Sequence, residues 1–481
     1  MSGKDIGYAL IDEKAEQFSD LSHEIWGYAE LSLQEKKSAA ALKKTLHAEG
    51  FEVASDICGI ETAFTGTFSN GPGPVIGILG EFDALSGLSQ KAGVTEREEL
   101  VPNGSGHGCG HNMLGVGSLA AACAVKAFMQ QTGLGGTVIY FGCPGEEGGA
   151  SKAFMARERL WEKLDAAISW HPGSENEVTT GTNNSCVQIL YKYKGVAAHA
   201  AGNPEDGRSA LDAVELMNIG VQYLREHMKK DASIHYAIID GGGVSPNVVQ
   251  PHASVLYMIR SRTVPDTLKL MKRVDLQAEG AALMTETTYE RVFVDGTADT
   301  VPNTALEKAI YKNMQEVPLP SYTEEEKEFA AKLAATYPAR EELPGRGAQS
   351  SPDIAETVAE LVQNSSEGLN DFLLPFYTGN DFEPGSTDVG DVSHLTPTGQ
   401  FTAVTFPKGC PGHSWQNVSS GGSSVGDKGM LYAAKVLFGT AVDLLSDPEL
   451  LKEAKEEFRK RTAGKPYVCP IPDGVKACIV E

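Results

Sequence analysis

Basic residues are in deficit: 41 Lys and Arg stand against 64 Asp and Glu, a formal net charge of −23. A nucleic-acid partner needs a basic surface to displace phosphate counterions, so that class is excluded. Cysteine is sparse too, with 8 in 481 residues and no paired spacing, which excludes a disulfide framework and fits a reducing cytoplasm. No run reads as the roughly 18–20 consecutive apolar residues of a membrane span. Residues 1–17 are charged and interrupted, so no secretory signal is expected there. Internal repeats and low-complexity tracts are missing. So are the Gly-x-Ser-x-Gly elbow of serine hydrolases, the phosphate-binding loop ending in Gly-Lys-Ser/Thr, and a Gly-x-Gly-x-x-Gly turn after a first strand.

What is present reads as an α/β protein of two or three domains. Residues 10–50 carry Phe18, Leu21, Ile25, Leu31, Leu33, Ala40, Leu42 and Leu46 at helical spacing, closed by Gly50. Short apolar runs at 75–80, 138–142 and 166–170 read as buried parallel strands, with a small-residue helix at 114–131 between the first two. From residue 186 the texture changes. Strands at 186–194, 234–240, 253–262 and 289–294 and helices at 209–228 and 266–281 give the order of a ferredoxin-like split βαβ unit. Residues 186–300 therefore read as a domain inserted between 1–185 and 301–481. A polar, acidic insertion at about 318–380 reads as helices and loops, partly mobile. A strand at 400–406 and a helix at 428–445 close the chain.

Four polar clusters carry the chemistry. His107-Gly108-Cys109-Gly110-His111 offers a thiolate and an imidazole two residues apart, a pair suited to a borderline-soft divalent ion. Glu146 and Glu147 follow directly on the apolar run ending at Gly142, where open α/β sheets collect their functional groups. Adjacent carboxylates in apolar and glycine-rich surroundings call for a cation or a shared proton. His171 ends the run starting at Ala166, and His413 sits in Gly409-Cys410-Pro411-Gly412-His413 after another strand. Cys109, His111, Glu147, His171 and His413 suffice to hold two ions, with the neighbouring glutamate able to take and return a proton.

These residues, with Gly80-Glu81-Phe82-Asp83-Ala84-Leu85, Trp170-His171-Pro172, Gly207-Arg208-Ser209-Ala210-Leu211-Asp212, Ser245-Pro246-Asn247, Ser386-Thr387-Asp388-Val389-Gly390-Asp391 and Cys469-Pro470-Ile471-Pro472, resemble the metal-dependent aminoacylase and glutamate-carboxypeptidase family along nearly the whole chain. The resemblance implies a zinc-peptidase-like catalytic domain with an inserted ferredoxin-like lid and dimerisation domain. It places Cys109, His111, Glu147, His171 and His413 at the metal positions, Glu146 at the general base and Asp83 at an acidic group that orients the metal site. Glu81 stands where many relatives have a metal-binding His. From the lid, His199 matches a residue that reaches the oxyanion across a dimer, and Asn247 and Arg260 match residues that grip the substrate amide and carboxylate. His394 is assigned to packing, and Asp388 and Asp391 to turn caps. The implied activity is hydrolysis of an N-acyl amino acid amide, p-aminobenzoyl-glutamate foremost and an acyl- or indoleacetyl-aspartate as the alternative. Two divalent ions per chain are expected; the thiolate favours Zn²⁺ and the resemblance Mn²⁺. The expected partner is a second copy through the lid, or a second homologous subunit that activity requires.

Overall fold

A computed structural model describes residues 3–479. The chain forms two compact units. The first runs to Gly181 and takes Val301–Asp381 and Val392–Lys465. The second is Thr182–Thr300, Phe382–Asp391 and the chain from Pro466. Two short segments far along the sequence thus complete the inserted unit.

The first unit is built on a seven-stranded sheet in the order Glu52–Ser55, Phe64–Ser69, Thr137–Cys143, Val75–Glu81, Ala166–Gly173, Thr398–Val404, Glu177–Thr179. Its four central strands are parallel and its edges antiparallel. The parallel strands all end at the same side of the sheet, with Glu81 opposite Cys143 and Thr402 opposite His171. Helices His111–Thr132 and Ser424–Ser446 pack on one another and on this sheet. Both meet the length and apolarity of a membrane span, contrary to the sequence expectation. Alanines, leucines and valines supply that apolarity, and 89% and 78% of the two windows are buried in protein. A helix apolar all round is what a large core requires. Close approach depends on Gly115, where a Cβ would lie 2.7 Å from the carbonyl oxygen of Glu81.

The helical reading of residues 10–50 is corrected to three helices: Asp5–Glu13, Ala15–Tyr28 and Lys36–Ala48. Between the last two the chain turns through left-handed Ala29 and Leu33. The oxygens of Glu30 receive Lys37 N–H, Ser38 N–H and the Ser38 hydroxyl at 2.9–3.0 Å and so start the third helix. The break carries Ser32 and Glu35 towards the strand ends. The polar segment after 318 folds into helices Glu324–Ala334, Arg346–Ser350 and Pro352–Asn364, the first opened by a Thr323/Glu326 capping box.

The second unit has an antiparallel sheet in the order Thr288–Thr297, Ser185–Lys194, His252–Ser261, Ser233–Asp240. Helices Ala210–Arg225 and Val264–Thr285 pack together on it, capped by Ser209 and Thr263. Tyr191, Tyr193 and Tyr257 fill the space between. The strand and helix order is that of the split βαβ unit expected from the sequence.

Candidate metal centre

All five expected ligands and the expected base Glu146 lie in the first unit, at the carboxyl ends of its parallel strands. Cys109 and His111 are aimed by a turn rather than a strand. Gly110 between them is left-handed (φ +78°), and a Cβ there would stand 2.9 Å from Met113, Pro172 and Phe406. His111 is the first residue of the buried helix His111–Thr132. Glu147 lies on the loop after Thr137–Cys143, and His171 within Ala166–Gly173. His413 sits in the loop following Thr398–Val404, in a left-handed conformation (φ +52°) that a non-glycine residue adopts only at a cost.

The donor atoms converge. Those of Cys109, His111 and His171 lie within 4.8 Å of one another, as do those of Cys109, Glu147 and His413, and those of Glu81, His111 and Glu146. Cys109 is common to the first two groups and His111 to the first and third. Cys109 Sγ is 3.4 Å from His171 Nε2, and His413 Nε2 is 3.3 Å from Glu147 Oε1. Two ligands on one tetrahedral ion, at bond lengths of 2.0–2.3 Å, stand about 3.3–3.8 Å apart, so these spacings suit a shared cation. Buried His111 Nε2 and Glu147 Oε1 make no hydrogen bond, leaving lone pairs turned inward. The residues therefore fit two divalent ions.

Neighbouring groups orient the ligands. His111 Nδ1 donates to Asp83 Oδ1 at 2.9 Å, which bares Nε2. His171 Nδ1 donates to the Pro172 carbonyl at 2.8 Å, with the same effect. Asp83 Oδ2 receives Glu147 N–H at 2.9 Å and the Ser32 hydroxyl at 2.8 Å, so one carboxylate braces a ligand from each side. Burial would raise the Asp83 carboxyl, but its bond with His111 and these donors outweigh that and hold it at about 2. Burial and the Glu147 charge push the Cys109 thiol well up, so it becomes a thiolate only beside a cation. Burial lowers His171, whereas the adjoining Glu147 carboxylate raises His413.

Three residues escaped the sequence reading. Buried Lys152, on the helix after the Glu146–Glu147 loop, pairs with Glu81 at 2.8 Å. Glu35, fully buried and pushed up to about 8 by desolvation and by Asp83, accepts Gly145 N–H at 2.8 Å and so anchors the glutamate loop. Ser32 is the third, through its bond to Asp83. None of the three carried a sequence signal: Glu35 stands between Gln34 and Lys36 and reads as one more solvated charge.

His199, Asn247 and Arg260 belong to the second unit. His199 and Asn247 are exposed on paired loops, where Ala200 N–H donates to the Asn247 carbonyl and Val249 N–H to that of Ala198, each at 3.0 Å. His199 Nδ1 accepts the N–H groups of Ala201 and Gly202, which puts the ring proton of the neutral imidazole on Nε2. Arg260 is the last residue but one of the strand His252–Ser261 and donates through Nε to Ser386 Oγ at 3.2 Å.

A model of peptidase family M20/M25/M40 matches residues 77–478. The chain is 42% identical to one of the subunits of p-aminobenzoyl-glutamate hydrolase from Escherichia coli (strain K12), over 97% of this chain and 98% of that one. It is 26% identical to the Xaa-Arg dipeptidase of Mus musculus, over 93% and 90%. A solved dinuclear metal binding peptidase from Bacillus subtilis superposes with a TM-score of 0.51 at 15% identity, over 89% and 98% of the two chains, and so shares the fold.

Proposed function

The chain belongs to peptidase family M20/M25/M40, and from that premise we propose that it is a two-metal amidohydrolase that cleaves p-aminobenzoyl-glutamate to p-aminobenzoate and glutamate. The convergence of the Cys109, His111, Glu147, His171 and His413 donor atoms carries this reading. The substrate rests on the 42% identity with the Escherichia coli protein.

Two divalent ions held there would polarise the amide carbonyl and acidify a water molecule. Glu146, on the loop beside Glu147, takes the proton of the attacking water and returns it to the nitrogen of the departing amine. Asp83 keeps the His111 proton on Nδ1 and fixes the loop bearing both glutamates. His199 donates its Nε2 proton to the oxyanion from the lid of a second subunit. Asn247 and Arg260 hold the amide and the carboxylate of the amino acid; a guanidinium fork matches a carboxylate. A homodimer through the lid draws support from the edge strand Ser233–Asp240, where Tyr236, Ile238 and Ile239 are exposed. Eight free cysteines fit a cytoplasmic location.

Glu146→Gln should lower turnover of p-aminobenzoyl-glutamate by about 10²–10⁴-fold while elemental analysis still finds the wild-type metal content. Full activity in that variant overturns the base assignment. A panel of N-acyl-glutamates, N-acyl-aspartates and neutral N-acyl amino acids tests the substrate, and preference for a neutral amino acid removes the role of Arg260. The relatives include both subunits of the Escherichia coli enzyme. A purified chain that binds metal yet turns over no N-acyl amino acid would favour a requirement for a second subunit.

A further inference from the structure

Position 81 has a place in the metal centre that the five-ligand set does not give it. Glu81 ends the strand Val75–Glu81 and is almost fully buried. Its two oxygens have different partners. Oε1 lies 2.8 Å from Lys152 Nζ, and Oε2 lies 3.3 Å from His111 Nε2.

The second contact is not a hydrogen bond. As a ligand, His111 would keep its Nδ1 proton on Asp83 and turn the Nε2 lone pair towards the ion, on the side where Glu81 Oε2 and a donor oxygen of Glu146 also lie. A carboxylate oxygen presents lone pairs as well. Two such atoms facing one another without a proton between them repel, unless a cation occupies the angle they subtend. Their 3.3 Å separation equals that of His413 Nε2 and Glu147 Oε1, and it falls in the range expected of two ligands on one ion.

Lys152 explains why only one oxygen is offered. Its side chain is completely buried, a location a lysine accepts only with an anionic partner. It comes from the helix Ser151–Arg157, and its carbonyl accepts the Trp161 indole N–H at 3.0 Å. From there the ammonium engages Oε1 and leaves Oε2 to the centre. Charge supports the same picture. Asp83, Cys109 as thiolate, Glu146, Glu147 and Glu81 sum to five negative charges, which two divalent ions and Lys152 balance.

We propose that Glu81 is a ligand of one of the two ions through Oε2, and that Lys152 is the positioning residue that restricts it to that single oxygen. The assignment rests on the two-metal reading given above.

Metal binding tests it independently of turnover. Zn²⁺ and Mn²⁺ affinities and stoichiometries are measured on wild type, Glu81→Gln and the double variant Glu81→Gln/Lys152→Met, with melting of the chelator-treated proteins as the check on folding. One of the two ions should bind at least about tenfold more weakly in Glu81→Gln, and removing Lys152 as well should not restore it. Wild-type affinity in the double variant would make Glu81 only the counter-ion of Lys152 and overturn the ligand assignment. Unchanged affinity in Glu81→Gln would do the same. Should Glu81→Gln fail to fold because it strands a buried lysine, the double variant, which removes both charges, carries the comparison. Lys152→Met is read in the Co²⁺-substituted protein. Freed of Lys152, Glu81 can chelate through both oxygens, so the higher coordination number should weaken the visible d–d absorption; an unchanged spectrum overturns the positioning role. A wild-type chain that binds no ion sinks the two-metal reading and this assignment together, whereas two tight ions in Glu81→Gln sink this assignment alone.

Discussion

Replacing Asp83 by Asn is the most demanding test of how the centre is braced. The change keeps the shape of the side chain and removes one acceptor. Wild-type Asp83 receives three donors: the His111 ring at 2.9 Å, the Glu147 backbone at 2.9 Å and the Ser32 hydroxyl at 2.8 Å. An amide has one acceptor oxygen and one donor nitrogen, so no orientation satisfies all three. With the oxygen towards His111, the amide nitrogen meets the Glu147 N–H. The serine hydroxyl can rotate to accept, but the backbone donor cannot, and leaving it unpaired costs about 1–3 kcal/mol. With the nitrogen towards His111, the imidazole must move its proton to Nε2, the atom that faces the ion. Each arrangement damages a ligand, and loss of such an orienting group weakens metal affinity by about 10–100-fold, roughly 1.4–2.7 kcal/mol. Titration of the chelator-treated protein with Zn²⁺ against a competing indicator reads this directly. Ser32→Ala, which removes one of the three donors and no acceptor, should change affinity far less. If Asp83→Asn binds both ions as tightly as the wild type, the bracing role is wrong.

Two further outcomes follow from buried ionisable groups. In the second unit, burial foremost, with Asp388 nearby, pushes the Asp295 carboxyl up to about 7 from 3.8. The folded chain then keeps a proton that the unfolded chain has lost, so this contribution is complete below pH 3.8 and disappears as pH rises through 7. Three pH units correspond to roughly 4 kcal/mol. Thermal melts of Asp295→Asn and wild type should therefore agree near pH 4 and separate in favour of the variant by pH 8; parallel curves refute the shift. At the metal centre, the raised Cys109 thiol must ionise to ligate, so Zn²⁺ binding near pH 7 should release a proton that Cys109→Ser does not release. Calorimetry in buffers of different ionisation enthalpy measures it, and buffer-independent binding heats in the wild type would refute it.

The order in which the centre became legible has a physical reason. His171, Glu146 and Glu147 announce themselves because an apolar run specifies a buried strand, and the residues just past it must emerge at the sheet's carboxyl edge. Two polar residues flanking a glycine, as at Cys109 and His111, gain meaning only beside those strand ends. Lys152 gave no such signal. In Ser151-Lys152-Ala153-Phe154-Met155 it reads as a solvated helix charge, and only the close packing that seals it against Glu81 makes it part of the site. Ser32 and Glu35 were hidden for a different reason. Their neighbours keep helical spacing through a stretch whose left-handed turns fall on Ala29 and Leu33, with no glycine or proline to mark the break. The fold shows the same division. Strand order in the second unit follows from local alternation, but its completion by Phe382–Asp391 depends on contacts such as Asp391 Oδ2 accepting Ala298 N–H at 2.9 Å, across 93 residues of chain. Local pattern thus names the groups that touch an ion, while the groups that hold them in place are selected by long-range closure. The Glu81–Lys152 pair lies on that boundary: a motif position read as a departure from the family pattern acquires a definite chemistry once the buried ammonium beside it is seen.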